Sequence, residues 1–224
     1  MASRQRAFVF RTWGGKRPRA GRRPTRPGGS GVSHRPRPEH RAAHPVHVTL
    51  RLREGLPPLR DRGLLARIHE AIRGANRSPA VGDAFRVVEF SVQNDHVHLI
   101  VEASNGDVLA RGVQGLAIRL ARRINGALGA RGRVWGDRFH ARELATPRAV
   151  RNAIVYVLMN AKKHGMQTSH GVDAFSSAPW FSGFVGRTPR TDASPVRAAR
   201  TWLGALGWRR RGLVAPIERP RAPS

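Results

Sequence analysis

Apolar and polar residues alternate with a period of two along residues 46–53, which is the pattern of a strand buried on one side. Residues 85–92 and 96–101 are also predicted strands, and a fourth is expected within 134–144. In the second strand, Val88, Phe90 and Val92 are expected to share the buried face.

Three further stretches repeat apolar residues every three or four positions, which predicts amphipathic helices. They cover residues 61–74, 107–125 and 147–164. Gly74 is expected to end the first helix, and Asn105 or Asp107 to cap the second. Thr146 is the expected N-cap of the third helix, and Gly165 its end. The resulting order is the β-α-β-β-α-β pattern of a ferredoxin-like α+β sheet, with an added C-terminal helix.

Composition divides the chain into three predicted regions. Residues 1–44 contain 12 Arg or Lys against the single acid Glu39, with five Pro and six Gly, so they are expected to form a disordered basic arm. Residues 45–165 hold the predicted strands and helices and form the expected catalytic domain. Residues 166–224 form a C-terminal extension rich in Arg and Trp.

The charge of the chain indicates the kind of partner it binds. Its 41 Lys and Arg against 14 Asp and Glu give a net charge of +27, which predicts a polyanion such as nucleic acid. The absence of cysteine excludes disulfides, Cys-ligated zinc and thiol catalysis. No apolar run approaches the ~20 residues that span a bilayer, and no signal peptide is recognisable. We therefore expect no membrane partner and a cytoplasmic, nucleoid-associated protein.

Part of the basic arm resembles an AT-hook, a slim Arg/Gly/Pro segment that lies in a narrow minor groove. The candidate segment is residues 16–24, with Arg17, Arg19, Arg22 and Arg23 as DNA contacts. The alternative is a generic basic tail that contacts phosphates alone. The other basic residues that we expect to contact DNA are Arg119, Arg122, Arg123, Arg138, Lys162, Lys163, Arg209 and Arg210.

The extension also offers aromatic residues interleaved with arginine. Trp202 and Trp208 could stack bases while the neighbouring arginines bind phosphate. The alternative is that Trp202, Leu203 and Leu206 dock a short helix on the domain, and we expect docking for the two leucines.

The strand at residues 96–101 carries the strongest candidate chemistry. His96 and His98 lie on one face, while Val97, Leu99 and Val101 form the opposite, apolar face. Two neighbouring imidazoles can hold one divalent metal through neutral ring nitrogens. The alternative is a pair of surface histidines on a half-exposed strand.

The last predicted helix carries Tyr156, the only tyrosine of the chain, with Asn160 one turn later on the same face. A tyrosine on an amphipathic helix is commonly a packing residue with its hydroxyl at the rim. Combined with the two histidines, however, Tyr156 and Asn160 supply a nucleophile and a neutral oxygen ligand.

These residues resemble the motifs of a known enzyme family. The segment His96-Val97-His98 is similar to the HUH motif of the single-tyrosine transposases, and residues 156–160 are similar to their Tyr-x-x-x-Asn/Gln helix. The REP-associated tyrosine transposases, bacterial enzymes that act on hairpin-bearing single-stranded DNA, resemble the chain over roughly residues 44–165.

The resemblance implies a mechanism and its residues. His96 and His98, with Asn160 as third ligand, would hold Mg²⁺ or Mn²⁺ against a scissile phosphate of single-stranded, hairpin-bearing DNA. Tyr156 would attack in line and leave a 5′-phosphotyrosine, and the reverse reaction would rejoin the strand. The protein would act as a monomer or a homodimer. Many relatives carry Asn-Pro after the tyrosine, whereas Ala161 follows Asn160 here.

Two other functions compete with this one. Two-histidine RNA phosphoesterases use paired His-x-Thr/Ser motifs, and His47-Val48-Thr49 would supply one of them. Their second motif would have to be His96-Val97-His98, which lacks the Thr or Ser. The other competitor is a domesticated DNA-binding protein that has lost catalysis.

Overall fold

The computed structural model describes residues 39–79, 82–163 and 172–220, with the side chain of Lys163 excepted. The predicted DNA contacts of the arm, Arg17, Arg19, Arg22 and Arg23, lie outside the described residues. The predicted contact of the Lys163 side chain and the expected end of the last helix at Gly165 do so too.

Four strands and five helices make up the described fold. The strands are β1 (Val46–Arg51), β2 (Phe85–Val92), β3 (His96–Ala103) and β4 (His140–Glu143). The helices are α1 (Arg62–Asn76), α2 (Gly106–Ala127), α3 (Pro147–Leu158), α4 (Asn160–Lys163) and α5 (Trp202–Ala205). Short 3-10 turns form at Gly82–Ala84, Ala178–Trp180 and Gly207–Arg211.

The strands form one antiparallel sheet in the order β2-β3-β1-β4. Together with the element order, this arrangement confirms the predicted ferredoxin-like fold. Asn105 is the N-cap of α2, and its side chain accepts a hydrogen bond from the amide of Val108 at 2.9 Å. Thr146 caps α3 in the same way, accepting from the amide of Ala149 at 3.1 Å.

The sheet separates two layers of the molecule. One face packs on α1 and α2, and its core includes Val97, Leu99 and Val101 as predicted. The other face is covered by α3 and by the C-terminal segment, residues 172–220. Ile100 joins that second core, which also contains the buried Trp208.

The prediction that Val88, Phe90 and Val92 share a face is wrong. The pairing of β2 with β3 shifts between Val87 and Glu89, which makes Val88 the extra residue of a β-bulge. The bulge changes the phase of the alternation, so Phe85 and Val87 face the same core as Phe90 and Val92.

The helix ends also differ from the predictions. Helix α1 continues past Gly74 to Asn76, whose buried side chain accepts a hydrogen bond from the amide of Val87 at 2.7 Å. This tertiary contact offsets the weak helix propensity of glycine. The predicted single helix after Thr146 is interrupted at Met159, where the backbone leaves helical geometry between α3 and α4. No glycine or proline marks that interruption in the sequence.

The fourth strand is shorter than the stretch that predicted it. Residues 134–136 instead cross the end of β1, where the amide of Arg53 donates to the carbonyl of Val134 at 2.8 Å. Trp135 makes an isolated bridge with Leu52. Only His140–Glu143 pairs alongside β1.

Candidate active site

The candidate site is built where β1 and β3 lie side by side. In the antiparallel register Thr49 is opposite His98, and Arg51 is opposite His96. His47 is opposite Ile100. Because side chains alternate along both strands, these polar residues project from the face opposite the α1/α2 core.

The two histidines of β3 turn their Nε2 atoms toward each other, 2.9 Å apart. Two adjacent ligands of an octahedral Mg²⁺ with bonds of about 2.1 Å would lie about 3 Å apart. The spacing of the two nitrogens therefore fits a shared divalent cation.

The second nitrogen of each ring is held by a neighbouring side chain. The Nδ1 atom of His96 lies 2.6 Å from the carboxylate of Asp95. The Nδ1 atom of His98 lies 3.1 Å from the Oγ1 atom of Thr49. A partner that accepts the Nδ1 proton leaves the lone pair of Nε2 available to a metal, which is the usual arrangement around metal-binding histidines.

His47 completes the cluster from β1. Its Nε2 atom is 3.2 Å from Nδ1 of His98. Burial lowers the pKa of His47 to about 4, and electrostatic interactions with His140, Arg142 and His96 act in the same direction. At neutral pH the ring of His47 is therefore uncharged and adds no repulsion to a bound cation.

Tyr156 approaches the cluster from α3. The apolar side of this helix, with Val150, Ile154 and Val157, is buried in the second core, as predicted. The ring of Tyr156 meets the rings of His98 and His47 edge-on, with centroid distances of 5.1 and 5.7 Å. The structure thus brings together the two candidates that the sequence indicates, the tyrosine and the histidine pair.

Asn160 is fully buried at the start of α4. Neither amide atom of its side chain has a hydrogen-bond partner among the residues that the structure describes. A buried amide without a partner costs about 1–3 kcal/mol, so such a group is rarely kept without a role.

The donor set determines what kind of metal site these residues could form. No cluster of three or more His, Cys, Asp or Glu that could hold a metal occurs in the described part of the chain. Any further protein ligand beside His96 and His98 would therefore be of another kind, and the side-chain oxygen of Asn160 is a donor type that a divalent cation accepts.

The structure does not bring the arginines of α2 to this site. Arg119, Arg122 and Arg123 are exposed on α2, which covers the opposite face of the sheet. Arg123 forms an ion pair with Glu70 at 3.1 Å, and Arg119 donates to the hydroxyl of Ser78 at 3.3 Å.

The remaining predicted DNA contacts occupy different surroundings. Arg138 is exposed just before β4. The ammonium group of Lys162 is partly buried and donates to the carbonyl of Pro216. Arg209 and Arg210 are exposed, with their guanidinium groups over the rings of Trp208 and Trp202.

The C-terminal segment packs in a way that the sequence only partly indicates. Leu203 is buried, as expected of a docking residue, whereas Leu206 is 60% exposed and the prediction that it docks is wrong. The buried Trp208 stacks on Phe181 instead, so its ring is not accessible to a base. Trp202 remains 48% exposed.

The same segment also holds α3 directly. The guanidinium of Arg151 donates to both carboxylate oxygens of Glu218, at 2.7 and 2.9 Å. It also donates to the carbonyls of Gly212 and Leu213, at 2.9 and 3.0 Å. We call this set of contacts the Arg151 clasp. It fixes the helix that carries Tyr156.

The sequence alone does not indicate the roles of Thr49 and Asp95 beside the histidines. In the sequence, His47 and Thr49 appear only as part of a competing motif. The two-residue period of β1 places His47 and Thr49 on one face, but their contact with His98 depends on the pairing of β1 with β3. The alternation of residues within one β-strand does not show which other strand pairs with it.

Comparison with known proteins extends these observations. Residues 47–153 match the family model described as "Transposase IS200 like". The matched region includes His96 and His98 and ends three residues before Tyr156. A search of curated proteins finds no match. None of the described helices is long and apolar enough to cross a membrane.

A solved structure has the same fold. It is the REP-associated tyrosine transposase bound to a REP hairpin, with a TM-score of 0.51 and 20% sequence identity. The alignment covers 65% of this chain and 82% of the other. The resemblance predicted from the sequence is confirmed by the family match and by this fold.

Proposed function

We propose that this chain, whose residues 47–153 match the model of the IS200-like transposases, nicks and rejoins single-stranded DNA through a 5′-phosphotyrosine intermediate. One observation carries the proposal: the ring of Tyr156 lies edge-on to His98, whose Nε2 atom faces that of His96. The proposed nucleophile and the proposed metal ligands thus lie close together.

His96, His98 and Asn160 would hold Mg²⁺ or Mn²⁺, with Asp95 and Thr49 orienting the two rings. A bound cation would supply positive charge that neutralises the phosphate and favours loss of the phenolic proton. The support for this ligand set is the 2.9 Å spacing of the nitrogens and the buried amide of Asn160, which has no hydrogen-bond partner among the described residues.

Tyr156 would act as the nucleophile. Its phenolic oxygen would attack the scissile phosphorus and lose its proton, while the bond to the 3′ oxygen breaks and that oxygen is protonated. The covalent bond to tyrosine stores the energy of the phosphodiester, so attack by the 3′ hydroxyl restores the strand without an external energy source. The Arg151 clasp would keep α3, and with it Tyr156, in place during both steps.

Hairpin-bearing DNA is the substrate that we propose. The solved structure of similar fold is bound to a REP hairpin, and the net charge of +27 suits a nucleic-acid partner. The protein would act at the nucleoid in the cytoplasm, as a monomer or a homodimer.

The direct test is to incubate the protein with end-labelled, single-stranded hairpin DNA and Mg²⁺, and then to run a denaturing gel. We expect a covalent protein–DNA adduct with Mg²⁺ or Mn²⁺ and none with excess chelator. Cleavage at an equal rate in chelator would contradict the proposal.

A second candidate is a metal-independent RNA phosphoesterase. The observation that favours it is the contact of His47 and Thr49 with His98, which joins the candidate motifs of β1 and β3. This enzyme would cleave RNA in chelator and would not need Tyr156. A domesticated protein that only binds DNA would give neither cleavage nor adduct.

A further inference from the structure

We infer that a cleft at the end of α1 is a second DNA-binding site, which takes phosphodiester groups of the strand beyond the point of cleavage. The inference rests on the proposed function for the identity of the nucleic acid. The cleft has a volume of about 600 Å³, within the usual range of about 300–1,000 Å³ for ligand pockets.

The walls of the cleft come from two separate parts of the chain. One wall is the last turn of α1 and the residues that follow it, and the other is residues 194–197 of the C-terminal segment. Asn76 joins the walls, because its side-chain amide donates to the carbonyl of Pro195 at 3.1 Å. The cleft is therefore part of the folded structure and not a gap between loose loops.

Three arginines line the cleft: Arg73, Arg77 and Arg197. Arg197 is fixed by the carboxylate of Asp83 at 2.7 Å and the carbonyl of Asn76 at 3.2 Å. Arg73 and Arg77 form no ion pair with any residue that the structure describes. The Nε atom of Arg73 is buried without a hydrogen-bond partner in the same part of the chain.

The charge balance favours an anion. Among the described residues, Asp83 is the only acid that lines the cleft, and both Arg197 and Arg200 pair with it. Hydrogen bonds from these two arginines lower the pKa of Asp83. The guanidinium groups of Arg73 and Arg77 therefore remain for a ligand, and guanidinium groups match phosphate oxygens in geometry.

Arg119 connects the cleft to the basic side of α2. It donates to the hydroxyl of Ser78, which lines the cleft. The exposed arginines of α2, which the structure separates from Tyr156, thus have a neighbouring binding site. Their position is explained if DNA runs past the cleft and along α2.

The distance between the two sites sets the length of DNA that can reach both. Phe85, next to the cleft, pairs with Ala103 at the far end of β3 from His96. The seven residue steps from His96 to Ala103 span about 23 Å. Stacked nucleotides rise about 3.4 Å each, so a stacked strand reaches the cleft about seven nucleotides past the scissile phosphate.

The test compares two charge-matched double variants in equilibrium DNA binding as a function of salt. The cleft variant is Arg73→Gln with Arg77→Gln. The control is Arg62→Gln with Arg67→Gln, which removes two exposed arginines from the other part of α1. Each protein is measured with hairpins that extend about four or about twelve nucleotides from the cleavage point, on either side of the length estimated above.

We expect the cleft variant to reduce the log–log salt slope by about 1.4 on the longer single strand, at about 0.7 for each phosphate that is no longer neutralised. The short DNA should show no change, and the control should leave the slope unaltered on both. Equal effects of the two double variants, or an effect independent of DNA length, would overturn the cleft site. If the double variant does not fold, Arg77→Gln alone, at an exposed position, should give about half the slope change.

Adduct formation, measured on the same proteins, separates this inference from the proposed function. A wild-type chain that forms no adduct but shows the length-dependent slope contradicts the function and supports the cleft. An adduct at full yield, with slopes that the cleft variant does not change, supports the function and contradicts the cleft.

Discussion

The two faces of the sheet differ in the kind of side chain that they present. The face toward α1 and α2 is apolar along β1, β2 and β3, and its residues are buried in one core. The face toward α3 presents His47 and Thr49 beside His96 and His98. Neighbouring residues of one strand thus contribute to stability on one face and, under the proposed function, to chemistry on the other.

The contrast is sharpest in β3, where His98 and Leu99 are adjacent and both buried. Leu99 contributes through the area that it removes from water, and many apolar residues could do the same. His98 is held by specific contacts to Thr49 and His47, and no residue of similar volume would reproduce them. Substitutions on the apolar face should therefore reduce stability, whereas those on the polar face should reduce cleavage.

Among the variants that compare the two faces, the largest effect is expected from His98→Ala on the polar face. Loss of a metal ligand removes several kcal/mol of transition-state stabilisation, so cleavage should fall by more than about 1,000-fold. DNA binding should remain, because it rests on dispersed arginines. The measurement is single-turnover cleavage together with equilibrium binding, and retention of cleavage would contradict the metal site.

Leu99→Ala tests the apolar face with the neighbouring residue. The cavity should reduce the free energy of unfolding by about 2–5 kcal/mol. Below the melting transition, the cleavage rate per folded molecule should stay near that of the wild type. Denaturant unfolding and cleavage at low temperature measure the two quantities. Loss of cleavage with unchanged stability would show that the faces are not independent.

Thr49→Val tests whether β1 supports the proposed metal site on β3. It keeps the shape of the side chain but removes the hydroxyl next to Nδ1 of His98. Loss of such a partner typically weakens metal affinity 10–100-fold, and we expect a fall of about tenfold. Titration of Mn²⁺ in the absence of DNA is the measurement, and Thr49→Ser should restore the affinity. Equal Mn²⁺ affinities for the wild type, Thr49→Val and Thr49→Ser would show that Thr49 does not support metal binding.

An effect on the scale of that of Thr49→Val is expected from the Arg151 clasp. Arg151→Lys keeps the charge but loses the paired contact with Glu218, so stability should fall by about 1 kcal/mol. Cleavage should fall about tenfold with unchanged DNA binding, because α3 positions Tyr156. Arg148→Lys, at an exposed position of the same helix, is the control. The same loss from both variants would contradict a positioning role for the clasp.

The sequence reveals the apolar face more fully than the polar one. Strand periodicity correctly separates Val97, Leu99 and Val101 from His96 and His98, because alternation is a local property of a chain. It assigns Val88 to the wrong face, because the β-bulge adds one residue to the strand and shifts the alternation of side chains between the two faces. The local signal thus fails where the partner strand sets the register.

The same limit explains what was missed at the site. The sequence indicates His96, His98 and Tyr156 because their residue types suggest chemistry and because they match the motifs of a known family. Thr49 gains its importance only from β1 lying next to β3, and Arg151 only from the return of the C-terminal segment across α3. Contacts between residues distant in sequence depend on tertiary structure, which propensity and spacing do not specify.

The central claim is that Tyr156 is the nucleophile, and Tyr156→Phe tests it most directly. The change removes one oxygen and keeps the ring that packs against His98 and His47. No other tyrosine is present in the chain to take its place. Stability and hairpin binding should therefore remain near those of the wild type, while cleavage and the adduct disappear.

Mass spectrometry of the wild-type adduct locates the covalent bond. With Mg²⁺ and single-stranded hairpin DNA, we predict a 5′-phosphate on the peptide that contains Tyr156 and no modified peptide from Tyr156→Phe. Strand cleavage by the Phe variant, or an adduct on another peptide, would contradict the mechanism.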